Sequence, residues 1–156
     1  MIEISIPSRG LLRLQYLVLD VNGTIALDGK LLPGVGTRLE KLSSLLETCL
    51  VSADTQGTLS DLAAELKVRA KRLASGDEAG QKGAFVEELG AQSVVAVGNG
   101  ANDAVMLRRA ALGVAVIGLE GLAAESLSAS DLVVPNIESA FDLLLFPRRL
   151  LATLRK

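Results

Sequence analysis

Histidine is absent from this chain of 156 residues, and that absence removes the usual general base, the Ser-His-Asp triad and every histidine-containing zinc site. Acid–base chemistry must fall to carboxylates or lysine, and oxygen ligands around a hard ion such as Mg²⁺ become the natural metal chemistry. Aromatic residues amount to only 3%, without a single Trp. Leu, Val, Ile and Ala must then fill the interior, which suits layers of sheet and helix better than a sandwich anchored by Trp and Tyr. The lone cysteine, Cys49, excludes an intrachain disulfide and is expected to be a buried structural thiol at the start of an apolar strand. A net charge of −2 gives no electrostatic footprint for nucleic acid. No apolar run approaches the roughly 18 residues needed to span a bilayer. Residues 1–12 lack the basic-then-apolar order of a signal peptide, so no membrane partner and a cytoplasmic location are expected.

What the chain does have is a 49% hydrophobic composition arranged as short β-rich apolar runs alternating with amphipathic stretches. No linker, charge block or internal repeat divides them, which predicts one domain over residues 1–156 built on a parallel α/β sheet. Residues 14–20 form a buried strand that ends on an acid, and Asn22-Gly23 and Asp28-Gly29 mark two turns that enclose a small flap over residues 26–32. Helical spacing of Val35, Leu39, Leu42, Leu45 and Leu46 follows Pro33, then a strand at 49–52 and a helix at 58–66. The remaining expectation is a strand at 69–74, a helix at 77–89 stopped by Gly90, and a strand at 93–97. A helix at 102–111, a strand at 113–117, a helix at 119–127, a strand at 131–134 and a closing helix from Ile137, interrupted near Pro147, complete it. Open parallel sheets bind ligands beyond the carboxyl ends of their strands, and four such ends carry polar groups: Asp20, Ser52, Ser75 and Gly98-Asn99.

Asp20-Val21-Asn22-Gly23-Thr24 follows the hydrophobic run Tyr16-Leu17-Val18-Leu19. An acid there projects into the ligand crevice and can attack phosphorus, while Gly23 permits the tight turn that brings backbone groups close to a phosphate. A simple Asp-x-Asn-Gly turn would account for the same residues taken alone. Val51-Ser52-Ala53-Asp54 closes the next strand with a hydroxyl that can donate to a phosphoryl oxygen without adding charge. Gln81-Lys82-Gly83 begins a helix, and Gly98-Asn99-Gly100-Ala101-Asn102-Asp103 joins a strand to a helix with room for a bound ion and a sharp turn. Helix capping by Asn102 or Asp103 is a further role for the last segment, although it leaves the glycines unexplained.

In this order the four segments resemble the motifs of the haloacid dehalogenase-like superfamily: D-x-D-G-T, a Ser or Thr ending the second strand, a lysine, and G-D-G-x-N-D. The P-type ATPase versions, D-K-T-G-T and T-G-D, are similar as well. The resemblance runs from Asp20 to Asp103 and extends to about Asn136. It implies a three-layer, doubly wound Rossmann-like sheet, and a Mg²⁺-dependent phosphohydrolase or phosphotransferase working through a phospho-aspartate at Asp20. Asp20, Asn22 and Lys82 would be catalytic, with Lys82 as an electrostatic clamp. Gly23, Thr24, Ser52, Ala53 and Lys82 would hold the phosphorylated substrate, and Asp20, Asn22 through its carbonyl, Asn99 and Asp103 would hold the cation.

The intervals from Asp20 to Ser52 and from Ser52 to Lys82 are too short for a large cap domain, so the site is expected to be open. A homo-oligomer or a protein-sized substrate would close it, with the apolar C-terminal segment 141–154 offering a contact surface. Two residues depart from the family pattern. Asn22 stands where the phosphatases carry an acid/base Asp, and its amide cannot exchange a proton in that role. Asn99 stands where a metal-binding Asp is usual, a loss of charge that Asp54 or Asp103 could offset. These departures motivate an alternative, a catalytically degenerate regulatory or binding protein; a receiver-type signalling domain fits the Gly-Thr after the acid poorly.

Overall fold

The computed structural model describes residues 1–7, 9–54 and 57–156. Its centre is a six-stranded, wholly parallel sheet in the order β10-β9-β8-β3-β6-β7. The strands are β3 (Tyr16–Asp20), β6 (Glu47–Ser52), β7 (Arg69–Arg72), β8 (Val94–Gly98), β9 (Leu112–Val116) and β10 (Leu132–Val134). The chain runs outward from β3 through β6 to β7, then returns to the other side of β3 and runs outward again from β8. The carboxyl ends of β3 and β8 therefore flank the point where strand order reverses, where open sheets of this kind leave a crevice.

Alternation along the strands assigns each side chain to a face. Leu17 and Leu19 join one apolar cluster with Val35, Leu39 and Leu42 of α1 (Val35–Leu42), Leu59 and Leu62 of α2 (Leu59–Leu66), Phe141 and Leu144 of α6 (Ile137–Leu145) and Leu150 of α7 (Pro147–Leu154). Val18 belongs to the opposite cluster, with Phe85 and Val86 of α3 (Glu78–Glu88) and Met106 and Leu107 of α4 (Ala104–Arg109). Two helical layers on a doubly buried sheet match the expected three-layer architecture, and they explain the unbroken apolar runs of β3, β8 and β9. Asp20, two residues after Val18, shares the face covered by α3, and this parity points the carboxylate toward Lys82.

Several boundaries differ from the expected ones. Residues 2–14, which carried no secondary-structure expectation, form an antiparallel hairpin of β1 (Ile2–Ile6) and β2 (Gly10–Leu14). Its Ile2, Ile4 and Ile6 are buried and α7 packs on it, so Leu14 belongs to the hairpin and the central strand begins at Tyr16. α1 stops at Leu42, short of Leu45 and Leu46. β7 is exposed along its length and ends at Arg72. An Arg-Ala-Lys-Arg edge of this kind discourages pairing with another sheet, and it leaves Ser75 exposed and outside the site. The helix expected at 119–127 is instead α5 (Ala124–Ala129), because Gly118 and Gly121 adopt left-handed φ values of 56° and 85° and hold the preceding residues in a loop. The helix expected at 102–111 begins as a 3₁₀ turn at Ala101–Asp103 and continues as α4.

The flap over residues 26–32 is a two-residue ladder between β4 (Ala26–Leu27) and β5 (Lys30–Leu31). Cys49 is buried in β6, as expected, and burial pushes its thiol up to about 11. The C-terminal apolar segment is largely spent within the chain. Phe141, Leu144 and Leu150 are buried, and Arg38 ties α1 to α6 through Glu138 and Asp142, each at 2.9 Å. Phe146 stays 52% exposed. Among the described residues no helix is long and apolar enough to cross a membrane.

Candidate active site

Asp20 ends β3 at the switch point, 7% exposed, with each carboxylate oxygen engaged. Oδ1 accepts from Lys82 Nζ at 2.7 Å, and Oδ2 accepts from the Thr24 hydroxyl at 3.0 Å. Lys82 reaches across from α3 and is 1% exposed. Its ammonium also donates to Asp103 Oδ1 at 2.6 Å, so one cation bridges two buried acids. Asp103 Oδ2 accepts the backbone N–H groups of Asn99 and Gly100, both at 2.9 Å, and this folds the 98–103 loop around its carboxylate. Gly98 is required for that geometry, since a Cβ there would lie 2.5 Å from Asp103 Cγ.

Electrostatics sets the protonation states. Burial, reinforced by the Asp103 charge, raises Asp20 to about 6 against the opposing pull of Lys82 and Thr24. Burial alone would depress the Lys82 ammonium, but the charges of Asp20 and Asp103 outweigh it, and its pKa is raised. Two carboxyl groups thus share a single buried ammonium.

The structure brings Asp20, Asn22, Gly23, Thr24, Lys82, Asn99 and Asp103 together. Thr24 is fully buried, and its hydroxyl is shared between Asp20 Oδ2 and Asn99 Oδ1, the latter at 3.1 Å. Ser52 ends β6 next to β3, with its hydroxyl oxygen accepting from Asp54 N–H at 3.0 Å and its own proton left to donate; Ala53 follows it. Asp54 is not available to offset the charge missing at Asn99. Its Oδ1 accepts from Leu59 N–H at 2.9 Å, at the start of α2, and its Oδ2 lies 3.7 Å from Arg72. Glu78, which receives the Asn102 amide at 2.7 Å and so joins α3 to the 98–103 loop, was not picked out by sequence reasoning. Nor was Glu120, whose carboxylate lies against Gly23; an exposed acid in a short loop carries no sequence signal of such a contact.

The donor set suits a hard cation. Asn22, two residues after Asp20, has its Oδ1 buried without a hydrogen-bond partner, and the Asp20 and Asp103 carboxylates and the Asn99 amide oxygen add further hard donors. Among the described residues no three Asp, Glu or Cys side chains form a cage by themselves, so amide and backbone oxygens would have to complete the coordination.

The fold is similar to that of haloacid dehalogenase-like hydrolases among the solved structures. Within that fold, the chain belongs to the family of the uncharacterized protein MJ0073 of Methanocaldococcus jannaschii, with 47% identity over 64 residues that make up 41% of this chain and 69% of that protein. No protein-family model matches the chain. Among solved structures it is similar to the 3-deoxy-D-manno-octulosonate 8-phosphate phosphatase of Moraxella catarrhalis, in complex with magnesium, phosphate and the sugar (TM-score 0.67, 17% identity, 85% of this chain and 86% of that one). It is also similar to a phosphoserine phosphatase in apo form (TM-score 0.68, 14% identity, 86% and 99% covered). A zinc-transporting PIB-type ATPase in its E2·Pi state gives a TM-score of 0.65 at 22% identity, over 79% of this chain and 20% of the transporter.

Proposed function

We propose that this chain is a Mg²⁺-dependent phosphohydrolase acting on a phosphate monoester through a phospho-aspartate at Asp20. The observation that carries the reading is the buried Lys82 ammonium, 2.7 Å from Asp20 and 2.6 Å from Asp103, at the carboxyl end of the central strand. With a pKa of about 6, Asp20 is ionised at neutral pH and can act as a nucleophile. One oxygen of Asp20 forms a bond to phosphorus as the ester P–O bond breaks, and the leaving alkoxide takes a proton from water. A water molecule then attacks phosphorus and the bond to Asp20 breaks, releasing phosphate and the free carboxylate. Lys82 and the Ser52 hydroxyl stabilise the transferring phosphoryl oxygens, and the backbone at Gly23 and Ala53 lines their seat. Mg²⁺, held by Asp20, the Asn22 carbonyl, Asn99 and, through the loop it organises, Asp103, would neutralise phosphoryl charge and orient it for in-line attack.

The two phosphatases above act on small phosphorylated metabolites, which supports a similar class here. The transporter likeness and Asn22, at a position where P-type ATPases carry Thr, favour the branch of the superfamily that resembles a soluble P-type ATPase. A capless site needs closure, by a second copy of the chain or by a large substrate, and a cytoplasmic location fits this chemistry. Cleavage of p-nitrophenyl phosphate tests the reading: slow turnover that requires Mg²⁺ and disappears in Asp20→Asn is expected, and turnover unaffected by that substitution would refute it. The second reading, a degenerate phosphate-binding regulator, is favoured by the Asn22 amide, which cannot shuttle a proton. Mg²⁺-dependent binding of phosphate without any turnover would select it.

A further inference from the structure

Position 99 carries an amide where a metal-binding acid is expected, and the geometry around it suggests where the charge has gone. A Cβ placed on Gly23, the residue after Asn22, would collide with Glu120 Oε2 and lie 2.7 Å from Asn99 Nδ2 and 3.0 Å from Asn99 Oδ1. The Glu120 carboxylate and the Asn99 amide thus converge on one point at the rim of the crevice. Gly23 is itself left-handed, with φ 77°, and the lack of a side chain there is what admits both groups.

Asn99 also holds the loop that carries Glu120. Its Nδ2 donates to the Gly121 carbonyl at 3.2 Å, and its backbone carbonyl accepts from Ala123 N–H at 2.9 Å. Gly118, at the other end of the loop, packs so closely on Gly23 that a Cβ would lie 2.9 Å from the Gly23 carbonyl oxygen. An aspartate at position 99 has no N–H to give Gly121, so the amide does something that the usual residue cannot. Glu120 itself makes no ion pair among the described residues and is exposed, free to turn toward a cation.

We propose that Glu120 supplies to the bound cation the carboxylate charge that position 99 lacks, and that Asn99 positions it by anchoring residues 118–123. The inference rests on the Mg²⁺-dependent reading above. Site charge is a main determinant of affinity for hard cations, and loss of a supporting acid commonly weakens binding by about 10- to 100-fold.

Titration of metal-stripped protein with MgCl₂ by calorimetry, without substrate, provides the test. Glu120→Gln is expected to bind Mg²⁺ about 10-fold or more weakly, with an unchanged melting temperature in EDTA because the side chain is exposed. Adding Asn99→Asp to that variant returns a charge to the crevice and is expected to recover much of the lost affinity. Equal Mg²⁺ affinity in wild type and Glu120→Gln, or a double variant no tighter than Glu120→Gln, would overturn the proposal. Absence of Mg²⁺ binding by the wild type overturns it too; if Asp20-dependent turnover persists there, the phosphohydrolase reading survives without Mg²⁺, and if turnover is also absent, that reading falls as well.

Discussion

Replacing Lys82 with Met keeps the length and apolar stem of the side chain and removes only the ammonium that joins Asp20 to Asp103. Both acids then face one another, buried, with no cation between them. Breaking a buried ion pair by deleting one partner typically costs about 3–5 kcal/mol, because the remaining charge loses compensation that water would have supplied. pH adds a signature. Asp20 already has a folded-state pKa of about 6 against an ordinary value of 3.8, so ionising it costs the native state roughly 3 kcal/mol. For a carboxyl raised in this way, the stabilising contribution is complete below pH 3.8 and is lost as pH rises through about 6. Lys82 is one of the groups holding that value down, so its removal moves the Asp20 pKa further up and extends the loss above pH 6. Urea unfolding of wild type and Lys82→Met in EDTA should therefore show a difference of about 3–5 kcal/mol at pH 7.5 that shrinks by about 1–2 kcal/mol at pH 5. Mg²⁺ should recover part of it by supplying a replacement cation. A difference below about 1 kcal/mol at pH 7.5, or one that does not change between pH 5 and 7.5, would refute the picture of a charge-bridging lysine.

Three further outcomes follow from the geometry. Asn22→Asp restores a side chain that can carry a proton between water and the leaving group, and p-nitrophenyl phosphate turnover should rise toward the roughly 10²–10⁴-fold that general acid–base catalysis contributes; no rise with Mg²⁺ affinity intact would mean that another group already performs the transfer. Cys49, buried and with its thiol pushed up to about 11, should resist a thiol-specific disulfide reagent at pH 7.5 and react only once urea unfolds the chain, so rapid labelling of native protein would contradict its placement. Gly113→Ala would drive a methyl group into the Leu107 carbonyl where α4 crosses β9, and a destabilisation of about 1–3 kcal/mol in a thermal or urea melt is expected; a neutral substitution would mean that the crossing is looser than described.

The layers and much of what surrounds Asp20 were legible in the sequence by itself, because these depend on local pattern. Continuous apolar runs such as Leu17-Val18-Leu19 and Val94-Val95-Ala96-Val97 can be buried only in a doubly covered parallel sheet, and a strand that ends on Asp20 before Asn-Gly must present that acid at the sheet's carboxyl edge. The glycines at 23, 98 and 100 were legible because they serve tight turns whose demands are local. Alternation in Ile2, Ile4 and Ile6 was equally present, yet a lone two-stranded hairpin is stable only when something covers it, and that cover is α7, more than a hundred residues along the chain. The same limit applied at the site. Asp54 looked free to serve a metal until the fold committed it to the start of α2 and to Arg72. That the Thr24 hydroxyl joins Asp20 to Asn99 was likewise invisible in the sequence, because the two acceptors lie far apart along the chain. Only tertiary structure placed Glu120 against Gly23. That meeting depends on how the loop after β9 folds back over the turn after β3, a distance in space that no local spacing encodes.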